Sequence, residues 1–395
     1  MTTAARTPRL TAVRRSEERV TPLELFFDLV FVLAITQCTG LMAKHTTWAE
    51  LGHGMLVLAL LWWSWVGYAW LTSVVDPEEG AVRFAMFAAM AALLVVALCV
   101  PESFGDSRVL FACAYAGVRF GQIALFILAS RDEPDLRRSI WGLAASTAIA
   151  ASLLLFGALF DDDGIQAAIW GFALLLDMGE PYLFGSEGWK LAPSHFAERH
   201  GLIIIIALGE AIVAIGVGAH QHVDAGIVAA SALGMAVAGA LWWLYFDIVA
   251  LVAERRLTRA KVGREQNEIA RDSFSYLHFP MVAGIVLLAL GMKLTLQHVD
   301  EPLETVPAAA MLGGAAIYLL AHVAFRWRNV HRFNTARLAC ALLLFALIPL
   351  GTSIDALWTL ALLAALLAVL IVYETRHFAE LRDRLRHQLD QGASA

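Results

Sequence analysis

Residues 201–218 read GLIIIIALGEAIVAIGVG, a block in which Glu210 is the single charged residue. A helix of about 20 apolar residues is long enough to cross a hydrocarbon core of roughly 30 Å. A surface helix of a soluble protein would carry a polar stripe along one side, and this block has none. The stretch therefore predicts a transmembrane helix that holds one carboxylate inside the membrane.

Blocks of the same kind recur along the whole chain, which is 59% hydrophobic and 16% charged. Soluble domains carry roughly a quarter charged residues. The blocks are continuous and do not alternate apolar with polar residues, which excludes a β-barrel. We predict an all-α integral membrane protein with about twelve transmembrane helices, near residues 23–43, 52–74, 82–100, 109–129, 139–160, 165–184, 199–219, 226–251, 274–293, 307–326, 336–352 and 356–374.

The positive charges favour one side of the membrane. All but four of the 29 Lys and Arg residues precede the first predicted span, follow the last, or occupy every second loop. Cytoplasmic loops collect these residues. The basic start runs into a full-length span without a small-residue cleavage site, so no cleaved signal peptide is expected. We predict an inner-membrane protein with both termini in the cytoplasm.

Two halves of the chain repeat each other weakly, because Trp62-Trp63 recurs 180 residues later as Trp242-Trp243. Six spans per half would make parallel repeats. The predicted organisation begins with a basic cytoplasmic N-terminus (1–22) and a first transmembrane half (23–184). A second half (185–374) with a charged cytoplasmic loop at 255–272 follows, and then a cytoplasmic tail (375–395). The tail has the pattern of an amphipathic helix, which would lie on the inner leaflet or stay solvated.

Charged side chains inside a membrane are costly and usually pair or serve a function. A set of such residues, with histidines that titrate near neutral pH, predicts a buried network for protons or ions. Its members are Glu24, Asp28, Arg119, Asp177, Glu180, Glu198, Arg199, His200, Glu210, Asp247 and His278. The alternative is that the arginines neutralise the acids and hold helices together. For the acids near span ends, the structural alternative is favoured; for Arg119 and Glu210, which lie deep in their spans, the functional one is.

Prolines interrupt two of the predicted spans at Pro181 and Pro280. Each leaves a backbone carbonyl without its helical partner, which suits a kink or a broken helix, although an ordinary tolerated proline is the more frequent outcome in membrane helices. The chain has no phosphate-binding loop, nucleophile elbow or HExxH motif, so we expect no enzymatic activity, no cofactor and no metal. The four cysteines are expected to be small core residues.

The start of the first span, TPLELFFDLVFV (21–32), resembles the signature of the bacterial low-temperature-requirement A family. The resemblance continues through 195–218, LWWLYFD (241–247), HFPMVAGIVLLALG (278–291) and RFNTARL (332–338). It implies a multi-pass membrane protein linked by name to growth in the cold, and it supplies no molecular activity. The residues on recurring motif positions are Glu24, Asp28, His195, Glu198, Arg199, Gly201, Gly209, Glu210, Asp247, His278 and Pro280.

The first functional hypothesis is a proton or ion channel, or a proton-coupled transporter. In this hypothesis the acceptors of protons or cations are Glu24, Asp28 and Glu210. The counter-charge is Arg119 or Arg199, and the histidine that titrates is His200 or His278. The second is a non-transporting protein that supports or senses the membrane in the cold, and the third is a lipid-acting enzyme. The expected partners are membrane lipids and a small ion or proton, with no nucleic acid; association into a homo-oligomer is left open.

Overall fold

The computed structural model describes residues 19–78, 80–130, 134–183, 189, 191–219 and 224–377. Helices fill nearly all of this part of the chain, and it contains no strand beyond one isolated bridge between Pro302 and Asp355. The helices are α1 (Pro22–Lys44), α2 (Trp48–Val74), α3 (Gly80–Cys99), α4 (Arg108–Ala129), α5 (Pro134–Gly157), α6 (Asp163–Leu183), α7 (Pro193–Gly218), α8 (Ala225–Phe246), α9 (Val249–Arg259), α10 (Arg264–Ile269), α11 (His278–Gln297), α12 (Thr305–Ala308), α13 (Gly314–Val330), α14 (Thr335–Ala346), α15 (Ile348–Gly351) and α16 (Ala356–His377).

Ten helical stretches in the described part of the chain are long and apolar enough to cross a membrane. The predicted all-α membrane class is therefore confirmed. Of the two other predicted positions, 165–184 is occupied by α6, which carries several acids, and 336–352 is occupied by α14 and α15. The span predicted near 336–352 is thus interrupted at Leu347. Pro349 lacks an N–H and cannot donate to the carbonyl four residues earlier, which interrupts the helix between α14 and α15.

The first helix shows the reversed polarity expected for a lipid solvent. Leu25, Phe26 and Leu29 are 45%, 51% and 59% exposed, whereas Glu24 and Asp28 are 0% and 1% exposed. Apolar side chains on the surface are stable in lipid, and charged side chains there are not. The sequence therefore places its acids on the inner face of α1, against other helices.

The described helices group into two compact units by their contacts. The first comprises 1–206 and 257–279, and the second comprises 207–256 and 280–395. These units are discontinuous in sequence, unlike the predicted halves 23–184 and 185–374, and the repeat stays a prediction. The predicted amphipathic tail lies outside the described residues from 378 onward, as does the basic N-terminus up to residue 18.

In the first unit, α1 packs on α2 and α3, α4 packs on α2, α3 and α5, and α6 packs on α2 and α5. In the second unit, α16 packs on α8 and α14, and α13 packs on α14. Close backbone approach there depends on glycine. A Cβ on Gly284 of α11 would lie 2.6 Å from the Gly314 carbonyl oxygen of α13. Small residues allow membrane helices to approach in this way.

Candidate functional site

Two carboxylates on α1 face two basic side chains on α7, within the first unit. The Glu24 Oε1 atom lies 2.8 Å from His195 Nε2, and Arg199 Nη2 donates to Asp28 Oδ1 at 2.7 Å. Residues four apart share one face of a helix. Because the acids are spaced by four and the bases are also spaced by four, the two pairs form successive rungs, one helical turn apart.

Further contacts tie the two rungs together. Arg199 Nη1 lies 3.2 Å from Glu24 Oε1, so the guanidinium spans both acids. The Trp65 indole N–H of α2 donates to Asp28 Oδ1 at 2.9 Å. The second oxygen of Glu24 accepts the backbone N–H of Thr21 at 2.9 Å and completes the capping box that starts α1. We call Glu24, Asp28, His195 and Arg199 the acid–base cluster.

The acid–base cluster is closed to solvent and to lipid, since each of its four residues is at most 1% exposed. Two carboxylates and one guanidinium leave one excess negative charge when His195 is neutral. A buried charge without compensation is strongly unfavourable. One proton bound to the cluster, on His195 or on a carboxylate, makes the total charge zero.

Two further histidines lie beside this cluster. His200 Nδ1 lies 2.8 Å from the Phe196 carbonyl oxygen, and His278 Nδ1 lies 2.9 Å from that of Ser273. A carbonyl only accepts, so both rings carry a proton on Nδ1. The rings are 5.2 Å apart between centroids, and the His200 ring is 5.0 Å from that of Trp65. His200 Nε2 is buried and has no hydrogen-bond partner among the described residues.

The backbone just before His278 is a π-helix, Ala270–Tyr276. Pro280 follows it and cannot donate to the carbonyl four residues earlier, which favours such an irregular turn. The backbone is thus irregular just before Pro280, whereas Pro181 is tolerated inside the helix α6. In it, the Ser275 hydroxyl donates to the Ala270 carbonyl at 3.4 Å. The irregular turn also leaves the Ser273 carbonyl available to the His278 ring.

A second buried group surrounds Arg119 on α4. Its Nη2 atom donates to Asp177 Oδ2 on α6 at 2.6 Å, and its Nη1 atom donates to Gln122 at 2.7 Å. The Thr147 hydroxyl of α5 donates to the other oxygen of Asp177 at 3.2 Å. Glu180 is one turn further along α6 and is 5% exposed. Arg119 is thus paired with Asp177, an acid on a neighbouring helix.

The structure brings most of the predicted residues into these two groups and leaves three outside. Glu198 is exposed and its carboxylate accepts the Val20 N–H at 3.1 Å. In the second unit, Glu210 is buried within α7, and Asp247 is half-buried at the end of α8. Within the described residues, no group of three or more His, Cys, Asp or Glu is placed to hold a metal ion.

Sequence reasoning did not include His195 or Trp65 among the site residues. His195 had a signal, because its spacing of four from Arg199 matches the spacing of Glu24 and Asp28. Trp65 had none, since its role comes from the packing of α2 on α1. A further ion pair also went unpredicted in the second unit, where Arg337 Nη2 donates to Glu374 Oε2 at 2.7 Å.

The apolar helices and their buried ion pairs define a multi-pass α-helical membrane protein. Residues 19–372 match the family model described as bacterial low temperature requirement A protein (LtrA), and the chain belongs to this family. It is similar to the uncharacterized protein RA0937 of Rhizobium meliloti (strain 1021), with 29% identity over 308 residues that cover 75% of this chain and 74% of the relative. No solved structure matches the chain. The family resemblance noted in the sequence is thereby confirmed.

Proposed function

We propose that this protein moves protons across the membrane, alone or coupled to a solute, and that the acid–base cluster is its proton-binding site. The observation that carries the proposal is the charge count of the cluster. Two acids, one arginine and one histidine are buried together, and their total charge is zero only when one proton is bound. In a cluster with a purely structural role, we expect the charges of the acids and arginines to cancel without a titratable base.

Proton binding at such a cluster changes the energy of the conformation around it. Without the proton, the excess charge favours arrangements that admit water or a cation, whereas the protonated cluster is stable in the closed arrangement. Intramembrane acids and histidines serve as proton relays in pumps and transporters. We propose that His200 and His278 extend the path, with the His200 Nε2 atom, which has no hydrogen-bond partner in the described part of the chain, as the next acceptor.

We also propose a location and an orientation in the membrane, both from the charge pattern of the sequence. The bacterial cytoplasmic membrane would hold the protein with both termini in the cytoplasm, because Lys and Arg collect on that side. The starts of α1 and α7, and with them the acid–base cluster, would then lie toward the cytoplasm. Lipids would be its partners, and no chemical step on a substrate is proposed.

The test is proton flux into liposomes that contain the purified protein, with a trapped pH dye and a potassium diffusion potential. His195→Gln keeps the size and polarity of the side chain but cannot take up the proton, and we expect flux to fall about tenfold or more. Glu198→Gln is the matched control, three residues away on the exposed face of the same helix. It should retain the flux of the original protein.

Flux equal to that of empty liposomes between about pH 5 and 8 would contradict simple proton conduction. Equal flux in His195→Gln and the original protein would contradict the assignment of the cluster. If no gradient of any solute is dissipated, the non-transporting role in the membrane is favoured. Appearance of a modified lipid in the liposomes would instead favour the enzymatic alternative.

A further inference from the structure

A small cavity of about 70 Å³ lies inside the first unit, between α2, α4, α5 and α6. Four aromatic side chains form much of its wall: Trp63, Trp70, Phe126 and Trp189. The Trp189 ring meets Trp70 and Phe126 edge to face, at 5.5 and 5.0 Å between centroids. Such a volume holds roughly five water molecules, or a solute with about as many non-hydrogen atoms.

Two arginines also reach this cavity, and each is already paired. Arg119 donates to Asp177 at 2.6 Å, and Arg271 Nε donates to Asp272 Oδ1 at 2.7 Å. The Arg271 guanidinium also stacks on the Tyr182 ring at 4.0 Å. Both positive charges are therefore matched by carboxylates, and neither requires an anion in the cavity.

The carboxylate of Glu180 is in the opposite situation. The residue is 95% buried and lines the cavity, yet it has no hydrogen bond or ion pair among the described residues. Arg119 also acts on the Glu180 carboxylate, but its charge is already countered by Asp177, so an ionised Glu180 leaves the cavity with one excess negative charge. A carboxylate at membrane depth needs a cation, water or a proton.

We propose that this cavity binds a small organic cation, of the alkylammonium class, with Glu180 as the counter-charge and the tryptophan rings as the walls. The faces of tryptophan rings attract ammonium groups, and aromatic cages are the usual recognition site of quaternary ammonium. Hard inorganic cations prefer a shell of oxygen ligands, which indole rings do not supply. Anions are disfavoured by the excess negative charge.

The site is distinct from the acid–base cluster, and the two are packed on different faces of α2. Trp65 donates to Asp28 in the cluster, whereas Trp63 and Trp70 line the cavity. The Trp70 indole N–H donates to the Ser275 hydroxyl at 3.0 Å, within the π-helix that precedes His278. Binding in the cavity does not depend on proton flux, so the two proposals fail separately.

The test is isothermal titration calorimetry of the purified protein in detergent, without a gradient. The probe is tetramethylammonium chloride at constant ionic strength, and tert-butanol is the neutral probe of matched size. We expect saturable binding of tetramethylammonium and at least tenfold weaker binding of tert-butanol. Glu180→Gln should weaken tetramethylammonium binding about tenfold or more, and Asp163→Asn, an exposed acid on the same helix, should leave it unchanged.

Two tryptophan variants separate the aromatic contribution from folding. Trp189→Leu removes a cavity wall and should weaken binding about tenfold, whereas Trp141→Leu removes a ring that is 57% exposed and should have no effect. If Glu180→Gln does not fold, the Trp189 variant and the comparison of the two probes decide whether the cavity binds an organic cation. Absence of binding, equal affinity for tert-butanol, or unchanged affinity in a folded Glu180→Gln variant would overturn the proposal.

Discussion

Replacement of Arg199 by methionine should destabilise the protein by about 4 kcal/mol. The guanidinium donates to Asp28 at 2.7 Å and lies 3.2 Å from Glu24, and both carboxylates are at most 1% exposed. A hydrogen bond to a charged group contributes about 1.5–3 kcal/mol, and removing one partner of a buried ion pair costs about 3–5 kcal/mol. A loss of about 4 kcal/mol lowers the folding equilibrium constant by roughly a factor of 10³.

The assay is unfolding in mixed micelles by titration with sodium dodecyl sulfate, followed by tryptophan fluorescence. The control is Arg264→Met, whose side chain is 79% exposed in its pair with Glu268 and should contribute less than about 1 kcal/mol. The double variant Asp28→Asn/Arg199→Met removes one negative charge together with the positive one. It should be less destabilised than the sum of its single variants by about 2 kcal/mol.

A loss below about 1 kcal/mol in Arg199→Met would refute this reasoning, because it would mean that the carboxylates are neutral or hydrated without the arginine. Strict additivity in the double variant would refute it in a second way, since coupled charges cannot contribute independently.

The close helix crossing in the second unit predicts that Gly284→Val destabilises by about 3 kcal/mol, because its side chain would meet backbone atoms of α13; Gly239→Ala has open space and should be neutral in the same unfolding titration. Arg337→Lys should cost about 1–2 kcal/mol despite its retained charge, since the guanidinium contacts both oxygens of Glu374 and an ammonium group does not reproduce that geometry. Trp65→Phe should cost about 1.5–3 kcal/mol by removing an N–H donor to a buried carboxylate, and a cost below about 0.5 kcal/mol would contradict its assigned contact.

The membrane class could be predicted from the sequence because the length of an apolar block and the absence of a polar stripe are local properties. The candidate residues themselves could be identified for the same reason, since a charged residue within an apolar block is visible in the sequence. The break between α14 and α15 was also encoded locally, by Pro349, although the apolar composition around it suggested one continuous span.

The partners of the candidate residues could not be predicted, because they depend on which helices pack together. Arg119 meets Asp177 across a separation of 58 residues, and Arg199 meets Asp28 across 171. Nothing local distinguishes Glu198, which is exposed, from Arg199, which is fully buried one residue later. Only the rotation of α7 about its axis decides between them.

Glu24 has one oxygen on the first turn of its own helix and the other on α7. A protonated carboxyl is a weaker acceptor, so a proton that passed from His195 to Glu24 would loosen the cap and the cross-helix pair together, while the total charge of the cluster stayed the same. Fraying of the first turn of α1 would then report where in the cluster the proton lies, and a spectroscopic label near Val20 would detect it. The conformation of the chain where it enters the membrane would thus depend on the protonation of one carboxyl group, that of Glu24.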